Sequence, residues 1–410
     1  MANAPEAPAA EPRFSELAQR LAAGSVDSLP DGALAEKLAL AERERRRMRV
    51  KLGIDPTAPD IHLGHAVVLR KLRDFQDAGH RVVLIVGDFT ARVGDPSGRS
   101  TLRPILSEEE IDANAATFQE QALTILDGSP ELLEVRRNSE WLAMEMGALL
   151  ALARTTTAAQ LLERDDFAKR LAAGEPVSML ELLYPLLQGY DSVAVRSDLE
   201  LGGTDQKFNL LLARDIQRAY GVPEQAVLTM PILAGTDGTR KMSKSLGNQI
   251  GVTDAPEEMY GKVLSIPDEA MGSYRELLLR GDEEGEGAET GAGARDAKHA
   301  LARAIVTWLH SPEDAEAAAR HFERVVVQGQ LPEEVPEAVV AAVDGAVHLP
   351  ALIESEFGMS RSDARRMIDQ GAVSLDDHTL GRGDYDVPVG RLDGKVLRAG
   401  KRRFRRLRVD

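Results

Sequence analysis

The chain contains no cysteine in its 410 residues. That excludes disulfides, thiolate zinc sites and cysteine nucleophiles, and it fits a reducing compartment. No apolar run approaches the roughly 20 residues of a membrane span. The opening MANAPEAPAAEP lacks the basic and apolar regions of a signal peptide. It reads as a disordered arm, and the cytoplasm is the expected location. Positive charge is in deficit, with 50 Lys and Arg against 66 Asp and Glu and a net charge of −16. Attraction of RNA to the whole molecule is therefore not expected, and any RNA contact must come from a local basic patch. The length allows two or three domains with a full core.

The stretch KLGIDPTAPDIHLGH, residues 51–65, organises what is present. Val50, Leu52 and Ile54 close an apolar run that reads as a buried strand. Two prolines between Asp55 and Asp60 forbid its continuation. From His65 to Gly79, Val67, Val68, Leu72 and Phe75 recur at helical spacings. Strand, turn and helix place His62 and His65 at a helix N-terminus beside a strand's carboxyl end, where free N–H groups bind anions. Both imidazoles can face a triphosphate, and Gly64 lets a flat base approach the backbone. No nearby Cys or Glu completes a zinc set, so no metal site is assigned. RVVLIVGD, residues 81–88, is a second strand buried on both faces. With the first it makes a βαβ unit.

The turn GDPSGRS, residues 94–100, carries Asp95, suited to an ammonium, and Arg99, which with Arg103 suits phosphate. Ser107 caps a helix whose first turn holds three glutamates. Helical patterning then recurs through 119–126, 141–152, 155–171 and 178–187, and the stretch reads as inserted. Tyr184, Gln188 and Asp191, spaced by four and three, share one helix face in an apolar segment. Residues 193–201 return to strand character and end in GGTDQ, 202–206, where Asp205 suits ribose hydroxyls. A helix over 207–220 and a strand over 226–233 follow. The loop TDGTRKMSKSLGN holds Lys241 and Lys244, which fit a mobile clamp on pyrophosphate.

Beyond residue 250 the pattern is helical, interrupted by the acidic, Gly-rich stretch 281–293, expected to be disordered. LPEEVP, 331–336, is a linker by composition. In the last sixty residues Ser360 caps a helix closed by Gly371, with Ala364, Met367 and Ile368 inward and Arg361, Arg365 and Arg366 elsewhere. From 391 to 409 nine basic side chains, among them Lys401, Arg402 and Arg403, face one acid. Such local excess on an acidic chain fits contact with a phosphate backbone.

HLGH at the first strand–helix turn and KMSKS far downstream resemble the paired signature of class I aminoacyl-tRNA synthetases. With Tyr184-x-x-x-Gln188-x-Tyr190-Asp191, GDPSG, GGTDQ and the basic C-terminal unit, the chain resembles the bacterial-type tyrosyl-tRNA synthetases from about residue 35 to its end. The tryptophan-activating relatives share the first domain but normally lack the C-terminal S4 RNA-binding domain. The resemblance implies an α/β fold: a Rossmann-like parallel sheet with a helical insertion, then an all-α domain and a small α+β S4 domain. The expected boundaries are an arm and helix over 1–33 and a catalytic domain over 34–255 with its insertion at about 105–190. A helical domain over 256–335 and the S4 domain over 346–410 follow. It implies ATP as substrate with Mg²⁺, L-tyrosine and tRNA(Tyr) as partners, and a homodimer with helices near 140–170 at the interface. A tryptophan activator, a small-molecule nucleotidyltransferase and a non-catalytic RNA-binding protein on the same scaffold are the alternatives.

By the same resemblance, His62, His65, Lys241, Lys244, Arg99 and Arg103 stabilise charge at the reacting phosphates. Gly53, Asp55, Thr57, Gly64, Gly203, Asp205, Met242 and Ser245 lie along ATP. Asp95, Tyr184 and Gln188 hold the tyrosine ammonium, Gln206 lies near its carboxylate, and Asp191 accepts the phenolic proton. Arg361, Arg365, Arg366, Lys401, Arg402 and Arg403 contact tRNA. Many relatives carry tyrosine where this chain has Lys51, and others carry lysine. The second partner of the substrate hydroxyl is thus open.

Overall fold

Runs of β-branched residues become the centre of a parallel sheet. The computed structural model describes residues 11–57, 60–94, 106–280, 293–332, 335–340, 345–376, 378–400 and 403–409. The N-terminal arm to residue 10 and the acidic stretch 281–292 lie outside them. The chain divides into two compact units. One holds the residues through Asp254 together with Lys262–Leu309; the other holds Ala255–Gly261 and everything from His310.

The first unit is built on six strands: β1 (Asp27–Leu29), β2 (Arg49–Ile54), β3 (Arg81–Val86), β4 (Leu133–Arg137), β5 (Leu199–Gly203) and β6 (Ala226–Met230). Their order is β1-β6-β5-β2-β3-β4. All neighbours are parallel except β1 and β6. Val82, Val83, Leu84 and Ile85 are almost wholly buried, as a strand covered by helices on both faces requires. From β2 the chain steps one way to β3 and later returns on the other side at β5. The sheet's switch point therefore falls between β2 and β5, where ligands bind outside the carboxyl ends.

Several elements differ from the sequence reading. β4 lies between the helical stretches 119–126 and 141–152, inside the span read as a helical insertion. Its sequence LEVRR alternates over only four residues, and it is a half-buried edge strand held by register on β3. β1 falls within residues 1–33, expected as an arm and helix, and pairs with β6. The span 155–171 is two short helices, Ala158–Leu162 and Asp165–Ala172, the first capped by Thr157. The helix Met179–Ala194 continues past Val193, where strand character was expected, and β5 begins only at Leu199. Burial explains the extension: Val195, just beyond its end, is 2% exposed and packs against Val83 and Ile85. Periodicity alone does not separate a buried helix end from a strand.

Two helices cross at a glycine. Met179–Ala194 starts at Ser178, whose hydroxyl accepts from the Glu181 N–H at 3.2 Å while the Glu181 carboxylate accepts from the Ser178 N–H at 2.8 Å. It packs against Lys207–Ala219 through Gly189, where a Cβ would sit 2.5 Å from Ile216 Cδ1 and 3.3 Å from Ala213 Cα. The second unit pairs five strands, β7 (Glu337–Val340), β9 (Val373–Leu375), β10 (His378–Thr379), β12 (Val396–Ala399) and β13 (Arg403–Val409), in the order β10-β9-β12-β13-β7. A separate ribbon joins β8 (Ala346–His348) and β11 (Asp386–Pro388). Helices Leu349–Phe357 and Arg361–Asp369 close its core around Ile353, Ala364, Ile368, Leu397 and Leu407. Ser360 caps the second helix, accepting from the Asp363 N–H at 3.1 Å.

Gly189→Ala tests the crossing. Alanine gains about 1 kcal/mol of helix propensity, but overpacking a filled site typically costs about 1–3 kcal/mol. Ile216 is fully buried and has no space to yield. A net loss of about 1 kcal/mol is expected, read as a lower urea midpoint.

Candidate active site

One pocket opens at the carboxyl edge of β2 and β5. Gly53, Asp55, Thr57, His62, Gly64 and His65 line it from the first crossover. Gly203, Asp205 and Gln206 line it from the second, Tyr184, Gln188 and Asp191 from the helix, and Lys241 and Met242 from the distant loop. The structure thus gathers these sequence-selected residues around one cavity. Lys244 and Ser245 stand apart from the lining. Lys244 pairs with Asp60, and the Ser245 hydroxyl lies 2.9 Å from that of Ser243. Asp95, Arg99 and Arg103 lie outside the described residues.

The histidine pair follows from the start of the helix Leu63–Asp77. His62 is the extended residue before it, and its N–H donates to His65 Nδ1 at 3.4 Å. The two rings stack with centroids 3.9 Å apart. His62 Nδ1 is buried and has no hydrogen-bond partner among the described residues. A Cβ on Gly64 would lie 3.0 Å from it, so glycine keeps that nitrogen open. Burial, with Lys241 nearby, lowers the His62 pKa to about 4. Burial holds His65 well below the ordinary imidazole range, with His62 and Lys241 adding to the effect. Both rings are therefore neutral at pH 7, each with one N–H to donate.

The lysine loop is latched to this turn. The Leu63 N–H donates to Ile250 O at 2.9 Å, and the Val252 N–H to Ile61 O at 2.9 Å. Asn248, 3% exposed, ties the loop to itself. It accepts from the Ser243 N–H at 2.9 Å and donates to Asp237 at 2.9 Å and to Lys241 O at 3.2 Å. Backbone N–H groups of Thr239 and Arg240 hold the Asp237 carboxyl below its usual range. Within this frame Lys241 stays exposed and reaches Asp205 at 2.6 Å.

The inner end of the pocket is polar. Tyr184 donates to Asp55 at 2.9 Å, and Thr90 donates to the other oxygen of the same carboxylate at 2.6 Å. Asn209 bridges Gln188 at 2.8 Å and Gln206 at 3.3 Å. Asp191, 3% exposed, accepts from Trp141 Nε1 at 2.8 Å and Asn138 Nδ2 at 3.4 Å. Burial raises its pKa to about 6, while Lys51, Trp141 and Asn138 favour its charged form. Behind it Lys51 forms a buried ion pair with Glu200 at 2.8 Å.

The sequence reading missed Thr90, Asn138, Asn209 and Asn248 as site residues. Asparagine and threonine are ordinary loop and helix-end residues, and only the fold brings Thr90, Asn138 and Asn248 to carboxylates and Asn209 to the amides of Gln188 and Gln206. Trp141 left one weak signal, as one of two tryptophans in the chain.

A parallel sheet, two glycine-bearing crossovers at its switch point and a cationic loop facing neutral imidazoles define an enzyme that binds a nucleotide. The family model for class I tRNA synthetases (W and Y) matches residues 43–326, and the chain belongs to that family. A tyrosine–tRNA ligase of Moorella thermoacetica is 49% identical over 94% of this chain and 94% of its own length. A tyrosine–tRNA ligase of Thermotoga maritima is 48% identical over 93% of this chain and 94% of its own. A crystal structure of tyrosyl-tRNA synthetase with L-tyrosine from Archaeoglobus fulgidus has the same fold, with a TM-score of 0.58 and 23% identity over 74% of this chain and 99% of that one.

The depressed His62 pKa has a thermodynamic consequence. Between about pH 6.5 and 4 the unfolded chain binds a proton at this position that the folded chain refuses, so stability falls on acidification. The term reaches about 2 kcal/mol by pH 5. Asp191, with its raised pKa, acts in the opposite direction between about pH 4 and 6. Urea unfolding of wild type and His62→Gln at pH 7 and pH 5 isolates the histidine. The variant is expected to lose less stability over that interval.

Proposed function

We propose that this chain is a tyrosine–tRNA ligase. It activates L-tyrosine with ATP and then charges the terminal adenosine of tRNA(Tyr). The observation that carries the reading is Asp191. A buried carboxylate lining the pocket suits a phenolic hydroxyl, and the imidazoles, Asp205 and Lys241 line the same pocket for the nucleotide. Tyr184 and Gln188 on the same helix face, with Asp95, take the tyrosine ammonium, and Gln206 lies near its carboxylate. Phenylalanine would leave Asp191 without that partner, a penalty for which this enzyme family is itself the standard worked case.

The first step needs no protein nucleophile. The tyrosine carboxylate attacks the ATP α-phosphate in line, its oxygen bonds to phosphorus, and pyrophosphate leaves with the bond electrons. The chain's own part is positioning and charge stabilisation. His62 and His65, being neutral, donate N–H groups to phosphate oxygens without adding positive charge. Lys241 and Lys244, with Arg99 and Arg103, offset charge on the departing pyrophosphate, while Gly53, Thr57, Gly203, Met242 and Ser245 lie along ATP. The ribose takes Asp205, so Lys241 exchanges that carboxylate for phosphate as ATP enters. Lys241 is more than half exposed, and such a pair is weak enough to exchange. Mg²⁺ enters with ATP, held chiefly by phosphate oxygens. No three ligating side chains converge among the described residues, so no protein cage is assigned to it.

The second unit carries the RNA contacts in this reading, as an S4 domain. Arg361, Arg365, Arg366 and Arg403 are exposed on it, and Lys401 and Arg402 adjoin Arg403 in the sequence. A homodimer would cover the exposed apolar side chains Met146 and Leu150, 68% and 59% accessible. The enzyme would work in the cytoplasm.

Pyrophosphate exchange screened across the amino acids tests the assignment: tyrosine alone should support it, and exchange with tryptophan instead would overturn it. His65→Ala and Lys241→Ala are each expected to slow adenylate formation by about 10²–10³-fold while equilibrium tyrosine binding persists. Replacing Arg361, Arg365, Arg366 and Arg403 together with alanine should spare exchange and weaken tRNA charging. It should also flatten the salt dependence of charging, by about one unit of slope for each phosphate no longer neutralised.

A further inference from the structure

Lys51 sits where the sheet is driest. It and Glu200 face each other in register on adjacent strands, β2 and β5, and are 0% and 1% exposed. Taking two such charges out of water costs several kcal/mol per ion, and an apolar pair of similar volume would usually serve stability as well. Val50 and Leu52, on either side of Lys51, show that this strand accepts apolar residues. The charges therefore call for a local role.

The hydrogen bonds of the ammonium suggest one. Lys51 Nζ donates to Glu200 at 2.8 Å, to Ser192 Oγ at 2.8 Å and to the backbone oxygen of Gln188 at 3.1 Å. Those three contacts use all three of its donors. Gln188 and Ser192 are four residues apart, one turn of the same helix, and Asp191 lies between them. Ser192 Oγ in turn donates to Glu200 Oε2 at 3.0 Å. The pair thus grips the single helical turn that presents Gln188 and Asp191 to the slot. Glu200 lines the pocket.

We propose that Lys51 and Glu200 are a positioning pair for the amino-acid slot: they fix the helical turn bearing Gln188 and Asp191 and set the charge with which Asp191 meets the substrate hydroxyl. This rests on the tyrosine reading above. Lys51 favours ionised Asp191, and Glu200 opposes it. The remaining neighbours of Asp191 are the neutral donors Trp141 and Asn138. Further charges stand beyond these donors. Arg136 lies over the Trp141 ring, Asp55 is reached through Thr90, and Asp88 accepts from Ser139. The helix Lys207–Ala219 presents only amides at this point, Asn209 to Gln188 and Gln217 to Ser192 O. The open question of the second hydroxyl partner is then answered by charge rather than contact. Lys51 spends its donors on the protein, and an ionised Asp191 accepts a charge-assisted hydrogen bond, roughly twice as strong as a neutral one.

The test is tyrosine-dependent pyrophosphate exchange by the full chain from pH 5 to 8, with KM and kcat separated. In Lys51→Met the acid limb of kcat/KM for tyrosine should move up by about one pH unit, with kcat little changed. KM would then rise by about fivefold at pH 6 but only about twofold at pH 7. A purely structural role would raise KM by one factor at every pH, and that result overturns the proposal. Glu200→Gln should move the limb the other way, to lower pH. An unmoved limb there overturns the proposal even where Lys51→Met does not fold. A wild type that shows no exchange with tyrosine fails the functional reading itself. A wild type that exchanges, with its limb unmoved in the variants, fails this inference alone.

Discussion

The pairing of β2 with β5 is short, only Val50 with Leu199 and Lys51 with Glu200, yet the site depends on it. Each strand ends in a glycine-bearing turn and then a helix, and the pairing sets those turns side by side. One turn supplies the imidazoles and the other Asp205. Because both strands run parallel, their helix N-termini open toward the same edge, where free N–H groups suit an anion. Without that register the two crossovers would be separate anion sites of ordinary strength. The lysine loop joins by the same logic, since its backbone bonds run to Ile61 and Leu63 at the first of the turns.

Charges in the site divide by depth. At the rim, Lys241–Asp205 and Lys244–Asp60 are ion pairs whose lysines are more than half exposed. Such pairs contribute little to stability and exchange readily for a phosphate. At depth, Lys51–Glu200 is sealed and hydrogen-bonded throughout, and losing one member would strand the other. The same chemistry thus serves as an exchangeable placeholder at the mouth and as a fixed frame at the floor. The histidines stand between these zones. Burial keeps them neutral, so in the function proposed above they serve as oriented donors rather than as a third pair of cations.

Much of this was legible in the sequence, and the exceptions have a common cause. The βαβ unit was readable because RVVLIV is apolar at nearly every position, which only a strand covered on both faces requires. The helix face of Tyr184, Gln188 and Asp191 was readable from spacing alone. β4 was not, because an edge strand with LEVRR takes its conformation from hydrogen bonds to β3 rather than from its own pattern. Asn138 and Asn248 were invisible for a related reason. A small amide becomes a site residue through the carboxylate or backbone it meets, and those partners are 53 residues distant for Asn138 with Asp191. Lys51 was read in the sequence as a departure with an open consequence. Its consequence appears only when Glu200 arrives across the sheet.

Charge distribution completes the physical picture. A chain carrying −16 repels a polyanion over most of its surface. That repulsion is useful to a protein that must hold one RNA in one orientation, because it penalises every approach except those to basic ground. The tail strand β13 concentrates such ground. Phe404 and Leu407 anchor it in the core, leaving Arg403, Arg406 and Arg408 exposed. Those exposed arginines offer counterion release. With the RNA contacts proposed above, the acid excess elsewhere adds selectivity that the basic cluster alone would lack, by making non-specific binding poorer while leaving the oriented complex nearly untouched beyond a Debye length of about 8 Å.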